Sequence, residues 1–392
     1  MRPKALLLAV ALVAAACAAP AAPTATDVVF FESAHGITVT DNRGTVLSTD
    51  ATVANPDRTR LYAVRADRLV TFDPVTNREL AGVTVPRGRT ARVVSTDGTR
   101  VALTDGDRKA RARTTIVVAD TRSSRTLDLA GNFEPEAFST DNTHLFVLEY
   151  LPANAPTRYR VRKVDVTTGE VQPLLLRDKT IVPAGAEEEM RGEGRQAVLS
   201  PDRSRLYTLY LHQGDHEHTR DLLRGTDGRT VHAFVHVLSL TEGWAYCLDL
   251  PDPFGSQPAE AHALTVSPDG ARLYVGELTT KRVAVADTES LTVTTVATLT
   301  DDETGGDGAA MAMSPDGATL YVGSANLLRR VDATTLRVSD TWRLPKPVHG
   351  VAPDDGHVYV GQGDRIARVD ATTGRVVDTF AASGMSRVLS FR

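Results

Sequence analysis

At 392 residues and a formal net charge of −5, with 44 Lys and Arg against 49 Asp and Glu, the chain can bury a large core but lacks the basic excess of a nucleic-acid-coating protein. Two cysteines exclude a disulfide-built scaffold. The one basic run beyond the N-terminus, residues 108–113, sits directly behind Asp105 and Asp107 and reads as a solvated hairpin.

The N-terminus carries an export signal over residues 1–17: Arg2 and Lys4, an apolar run over residues 5–16, and small residues before Cys17. No other segment approaches the roughly 20 apolar residues of a membrane-spanning helix. The sequence Val13-Ala14-Ala15-Ala16-Cys17 resembles the lipobox of bacterial lipoproteins, which implies a diacylglyceryl group on the Cys17 sulfur. Ala14 replaces the usual Leu, so cleavage after Ala16 and plain secretion is the alternative. Residues 18–26, with Pro20 and Pro23, suit an extended tether, and one domain covers residues 27–392. A lipid on Cys17 would be the sole membrane contact, contributing about 0.8 kcal/mol per buried methylene.

Three strands, at residues 28–31, 36–40 and 45–48, open the domain without an inner partner. Aspartate-centred turns at Asp57, Asp97, Asp141, Asp202, Asp269, Asp316 and Asp354 follow, each leading into a strand of Leu-Tyr-Val type. The clearest copies, Ser267-Pro268-Asp269-Gly270 and Ser314-Pro315-Asp316-Gly317, have a mechanism. Pro fixes φ, Asp bonds the backbone two residues on, and Gly takes the left-handed position. Units of about 40 residues containing only strands predict the blades of a β-propeller. The final strand, at residues 385–391, supplies the inner strand missing at the N-terminus. The expected fold is therefore an all-β propeller of four-stranded blades, eight by count, closed by N-terminal strands pairing with the C-terminal strand. Seven blades is the alternative, should a long unit be irregular or the N-terminal strands pack outside the ring.

These turns and strands resemble the repeats of bacterial YVTN-type, WD40-like propellers, although Asp57, Asp141 and Asp202 lack the following Gly. The resemblance implies a propeller that commonly binds or scaffolds. Related propellers include amine dehydrogenase subunits and lactonases, so fold analogy does not choose between binder and enzyme.

Residues just before each inner strand should face the axis, which nominates Glu134, Arg195, His262 and His349 as ligand residues at the channel mouth. A polar, water-filled channel accounts for the same letters. An insertion between residues 206–210 and 231–237 carries His212, His216 and His218, candidate ligands for a divalent metal if the loop folds back, with a solvated hairpin tip as the alternative. His232 and His236 on the next strand read as structural. Residues 301–308 have the carboxylates for Ca²⁺ but read better as a solvated loop. Cys247 lies in a strand and reads as a buried, inert thiol. Nucleophile elbows and phosphate or dinucleotide loops are absent, so no catalytic residue is assigned.

The expectation is a membrane-tethered, extracytoplasmic propeller acting as a binding or scaffold module for a protein, peptide or glycan partner. No nucleic-acid partner is expected, and no cofactor beyond the optional divalent metal. The alternative is a propeller enzyme or metal-dependent module, a lactonase-like hydrolase or a lyase, working at the axial mouth.

Overall fold

The computed structural model describes residues 28–391 apart from 42, 106–109, 177–188, 192, 212–232, 302 and 304–307. The expected export signal and tether, with Cys17, lie outside these residues. Eight sheets, one per blade, form a closed ring.

Blade 1 joins the two ends of the domain: Val28–Ser33, Gly36–Asp41 and Val46–Ala51 pair in order, and Met385–Phe391 takes the inner edge. Val29 lies opposite Phe391 and Phe31 opposite Val388. Blade 2 comprises Val53–Ala54, Leu61–Arg65, Arg68–Phe72 and Glu79–Thr84, and blade 3 Thr90–Val94, Val101–Thr104, Arg113–Ala119 and Ser124–Ala130. Blade 4 comprises Asn132–Phe138, His144–Leu151, Arg158–Asp165 and Val171–Pro173. Blade 5 comprises Glu193–Leu199, Arg205–Leu211, Ala233–Ser239 and Trp244–Asp249, with Leu175–Leu176 added in parallel at its outer edge. Blade 6 runs from His262–Val266 through Arg272–Glu277 and Arg282–Asp287 to Thr292–Thr298. Blade 7 runs from Ala309–Met313 through Thr319–Ser324 and Leu327–Asp332 to Val338–Arg343. Blade 8 runs from Val351–Pro353 through His357–Gly361 and Arg365–Asp370 to Val376–Ala381. The ring thus closes as the eight-blade count requires, without leaving the inner strands of blade 1 unpaired.

The aspartate turns behave as their composition dictates. Ser267 Oγ donates to Asp269 Oδ1 at 2.5 Å, and Asp269 Oδ1 accepts the Ala271 N–H at 3.0 Å. Blade 7 repeats this through Ser314, Asp316 and Ala318. Gly270 and Gly317 sit at φ 75° and 72°, whereas Arg58, Asn142 and Arg203 occupy the same position at 55°, 61° and 61°. Asn tolerates that region; for Arg it costs about 1 kcal/mol.

Tyrosines of the following strands tie blade to blade. Tyr62 Oη donates to Gly98 O in the next blade at 2.7 Å, and Tyr274 Oη to Ala333 O at 3.0 Å. Burial pushes Tyr62 up to about 12, so it stays a donor. At the closing seam Tyr359 of blade 8 stacks on Phe391, ring centroids 4.3 Å apart, and Val29, Phe31 and Val388 are buried beside it. Each such side chain contributes roughly 1.5–3 kcal/mol.

Between blades 6 and 7 lies a buried ionic cluster. Arg329, only 1 % exposed, donates through Nε to Asp301 Oδ2 at 2.5 Å and through Nη1 to Ser324 Oγ at 2.8 Å. Lys281 Nζ and Thr341 Oγ1 also donate to the Asp301 carboxylate, at 3.0 and 3.1 Å. Asp301 is therefore committed to cations of the protein itself, which leaves it unsuited to the calcium option. Cys247 is buried in its strand with Met190 Sδ 3.9 Å from its Sγ.

Candidate functional site

The inner strands surround the axis, and on one side of it the packing opens. A cavity of about 820 Å³ runs off the channel between blades 4 and 5, reached by Arg92 of blade 3 and Arg387 of blade 1. Its centre is the tripeptide Glu134-Pro135-Glu136 on the inner strand of blade 4. Pro has no N–H to place in a ladder, which an inner edge strand tolerates. Pro135 lies opposite Val147 and Ala137 opposite Phe146, so Glu136 is the extra residue of a β-bulge, a device that re-aims a side chain.

The two carboxylates are treated differently. Glu134 accepts from the Arg92 guanidinium and from Tyr150 Oη, the latter at 2.8 Å. Glu136 has a buried Oε2 without a hydrogen-bond partner. Burial, followed by the charge of Glu134, pushes its carboxyl up to about 7, so near neutral pH it is held half protonated and able to donate.

The cavity wall is aromatic. Tyr150 and Tyr159 meet edge to face at 5.9 Å, Tyr159 and Tyr210 lie 5.5 Å apart, and Tyr210 stacks on Phe234 at 5.2 Å. Burial, then the neighbouring Glu136, raises the Tyr210 hydroxyl well above its ordinary range. Thr208 Oγ1, also in the wall, is buried without a partner. Arg158, paired with Glu189, and Arg191 complete a rim of mixed charge. Gln196 is fixed by two bonds to Leu264 of the next blade, 2.9 and 3.0 Å long.

Of the residues expected at the channel mouth, Glu134 lines this cavity. Arg195 belongs to the inner strand of blade 5, at a register break between Gly194 and Gln196, and its side chain lies outside the described residues. His262 does not take part. It is fully buried, its Nε2 accepts the Gly255 N–H at 3.0 Å and its Nδ1 lies 3.1 Å from Pro258 O. Both ring nitrogens are used to pin the loop ahead of its own strand. His349 is exposed and does not line this cavity, its backbone bonding Gly361 and Val388. His212, His216 and His218 lie outside the described residues, as does His232. Among the described residues no three His, Cys, Asp or Glu side chains gather to hold a metal ion. His236 is buried with its ring edge-on to Tyr210 at 6.3 Å.

Sequence reasoning passed over Arg92, Glu136, Tyr150, Tyr159, Thr208 and Tyr210. The available signal was the tripeptide itself: a proline between two glutamates, where an apolar inner strand was due, is a local conflict of the kind that marks sites.

No family model and no curated protein matches the chain. Solved structures do. AztD of Citrobacter koseri aligns over 94% of this chain and 98% of its own at 12% identity, with a TM-score of 0.59. Dihydro-heme d1 dehydrogenase NirN, in complex with DHE, aligns over 94% of this chain and 74% of its own at 15% identity, TM-score 0.55. Sqt1 of Saccharomyces cerevisiae aligns over 83% of each chain at 8% identity, TM-score 0.52. At these identities the likeness is one of fold. The chain is an eight-bladed β-propeller, similar in fold to these proteins.

Proposed function

We propose that the protein is an exported, membrane-tethered propeller that binds a protein, peptide or glycan partner, and that a polar projecting group of that partner enters the cavity between blades 4 and 5. The observation that carries this reading is the cavity itself. It is roomy, walled by tyrosines, and contains the buried unpartnered oxygens of Glu136 and Thr208, which a polar guest would satisfy. Rigid blades around it keep those groups in place without a guest. The lipobox-like end at Cys17 supports an anchor on the extracytoplasmic face.

The second reading, a hydrolase or lyase, draws on the carboxylate pair, one held by Arg92 and the other raised to about 7, the usual division between a stabilising base and an acid. Binding is preferred because the described lining residues include no Ser, Cys, His or Lys to stand with the pair as an activated nucleophile or its base.

Glycan and peptide arrays probed with the purified protein test the proposal. A binder retains a defined set of hits without altering them, and Glu136→Gln weakens those hits. Consumption of the arrayed ligand, abolished in Glu136→Gln while binding persists, would replace the proposal with the enzymatic reading. For the anchor, labelled fatty acid should enter the wild type and not Cys17→Ser; equal labelling of both would remove it.

A further inference from the structure

At the end of the channel ringed by the aspartate turns, a second axial cavity of about 600 Å³ opens. Its charged lining is Arg58, Arg203 and Arg387, with no Asp or Glu among the described lining residues. For a chain with more acids than bases this is a local inversion of charge. The three arginines come from blades 2, 5 and 1, so they reach the cavity from different sides.

Each is positioned by the scaffold. Arg203 Nη1 crosses from blade 5 to donate to Thr96 O of blade 3 at 3.0 Å, while its Nη2 stands 4.0 Å from Asp57 Oδ2. Arg387 Nη2 donates to Glu32 Oε1 at 3.2 Å, and its Nε is buried without a partner. Arg58 lies over the Phe30 ring, 5.6 Å from the centroid. Glu32 and Asp57 thus stand beside the cluster. Asp57 is already engaged within its own turn by Asn55 and Thr59.

Two of the three arginines stand where three other repeats use glycine. Arg58 and Arg203 hold φ of 55° and 61°, against 71° at Gly98, 75° at Gly270 and 72° at Gly317. A long side chain kept on a backbone that disfavours it points to a task for that side chain. Arg58 is also pushed down to about 10, first by burial and then by the charge of Arg387, with Glu32 opposing in part.

We infer that this end of the channel binds a small oxyanion carrying two or more negative charges, held between Arg58, Arg203 and Arg387. Guanidinium forks match carboxylate and phosphate oxygens in paired hydrogen bonds, and the cavity has room for either.

Isothermal titration of the full-length protein with inorganic phosphate and with citrate, each against chloride at matched ionic strength, tests this. At least one of the two should bind where chloride does not, and the tighter one identifies a phosphoryl or a carboxylate guest. Arg58→Gly and Arg387→Gln should each weaken binding at least tenfold. Because glycine suits the backbone at position 58, Arg58→Gly should keep or raise the melting temperature, separating loss of the site from loss of the fold. Absence of binding by both oxyanions, or wild-type affinity in either variant, would overturn the inference.

Discussion

Blades 6 and 7 and blades 4 and 5 are built from one four-strand unit, yet they spend their inner strands differently. In blades 6 and 7 the turns read Ser-Pro-Asp-Gly, the inner strands pair without a register break, and the space between them is filled by Met311, Leu320, Val322 and Val331. In blades 4 and 5 the turns carry Asn142 and Arg203 in place of glycine, the inner strands bulge at Glu136 and Arg195, and a polar cavity opens beside the packed core of Phe146, Val161, Leu206 and Phe234. Fidelity to the repeat marks packing, and departure from it marks the place where side chains are released for other work.

The largest test of that contrast falls on the packed side. Asp301→Asn leaves the guanidinium of Arg329 buried with a neutral partner, and should cost about 3–5 kcal/mol by chemical denaturation at pH 7. Burial raises the Asp301 carboxyl, but bonds from Arg329 and Lys281 outweigh it and hold the group below its ordinary value. A lowered carboxyl stabilises the fold above its unfolded value and loses that contribution as pH falls through the folded one. The gap between wild type and Asp301→Asn should therefore shrink below about pH 4.

On the cavity side the sign reverses. Glu136 is raised, so the folded state holds its proton while the unfolded chain releases it near pH 4. The contribution of Glu136 to wild-type stability should fall as pH rises from about 4 to about 7 and then level off. Glu136→Gln, which cannot ionise, should match wild type at pH 4 and exceed it at pH 8 by up to ~3 kcal/mol. Equal stability at both pH values would mean that the carboxyl is not held as described.

Smaller effects sharpen the comparison. Gly317→Ala puts a Cβ on a backbone at φ 72° and should cost about 1–2 kcal/mol in thermal unfolding. Tyr150→Phe removes the 2.8 Å bond to Glu134 and should cost about 1 kcal/mol, leaving the Arg92 contact in place.

The ring was legible because its parts are local. Ser-Pro-Asp-Gly and Leu-Tyr-Val sit within ten residues of each other, and the orphan strands at the two ends called for one another. The site was not legible in that way. Glu134 could be placed by counting back from the turn, but Arg92 reaches it from a neighbouring blade and Tyr210 from the blade on the other side, distances in sequence that no motif spans. His262 shows the converse: the count put it at a promising position, and a loop carbonyl and amide took up both of its nitrogens. Arg58 and Arg203 were visible as missing glycines, but only the backbone conformation shows that the left-handed position was kept.

The most direct measurement is array binding by Gly194→Trp beside wild type. Gly194 lines the cavity between blades 4 and 5, and a Cβ there meets nothing nearer than Tyr210 Cε1 at 3.4 Å, so a side chain can start from this position at ordinary contact distance. The account predicts that wild type binds a defined set of glycans or peptides and that Gly194→Trp, folded and equally stable, loses them. The same hits at the same strength in both proteins would contradict it.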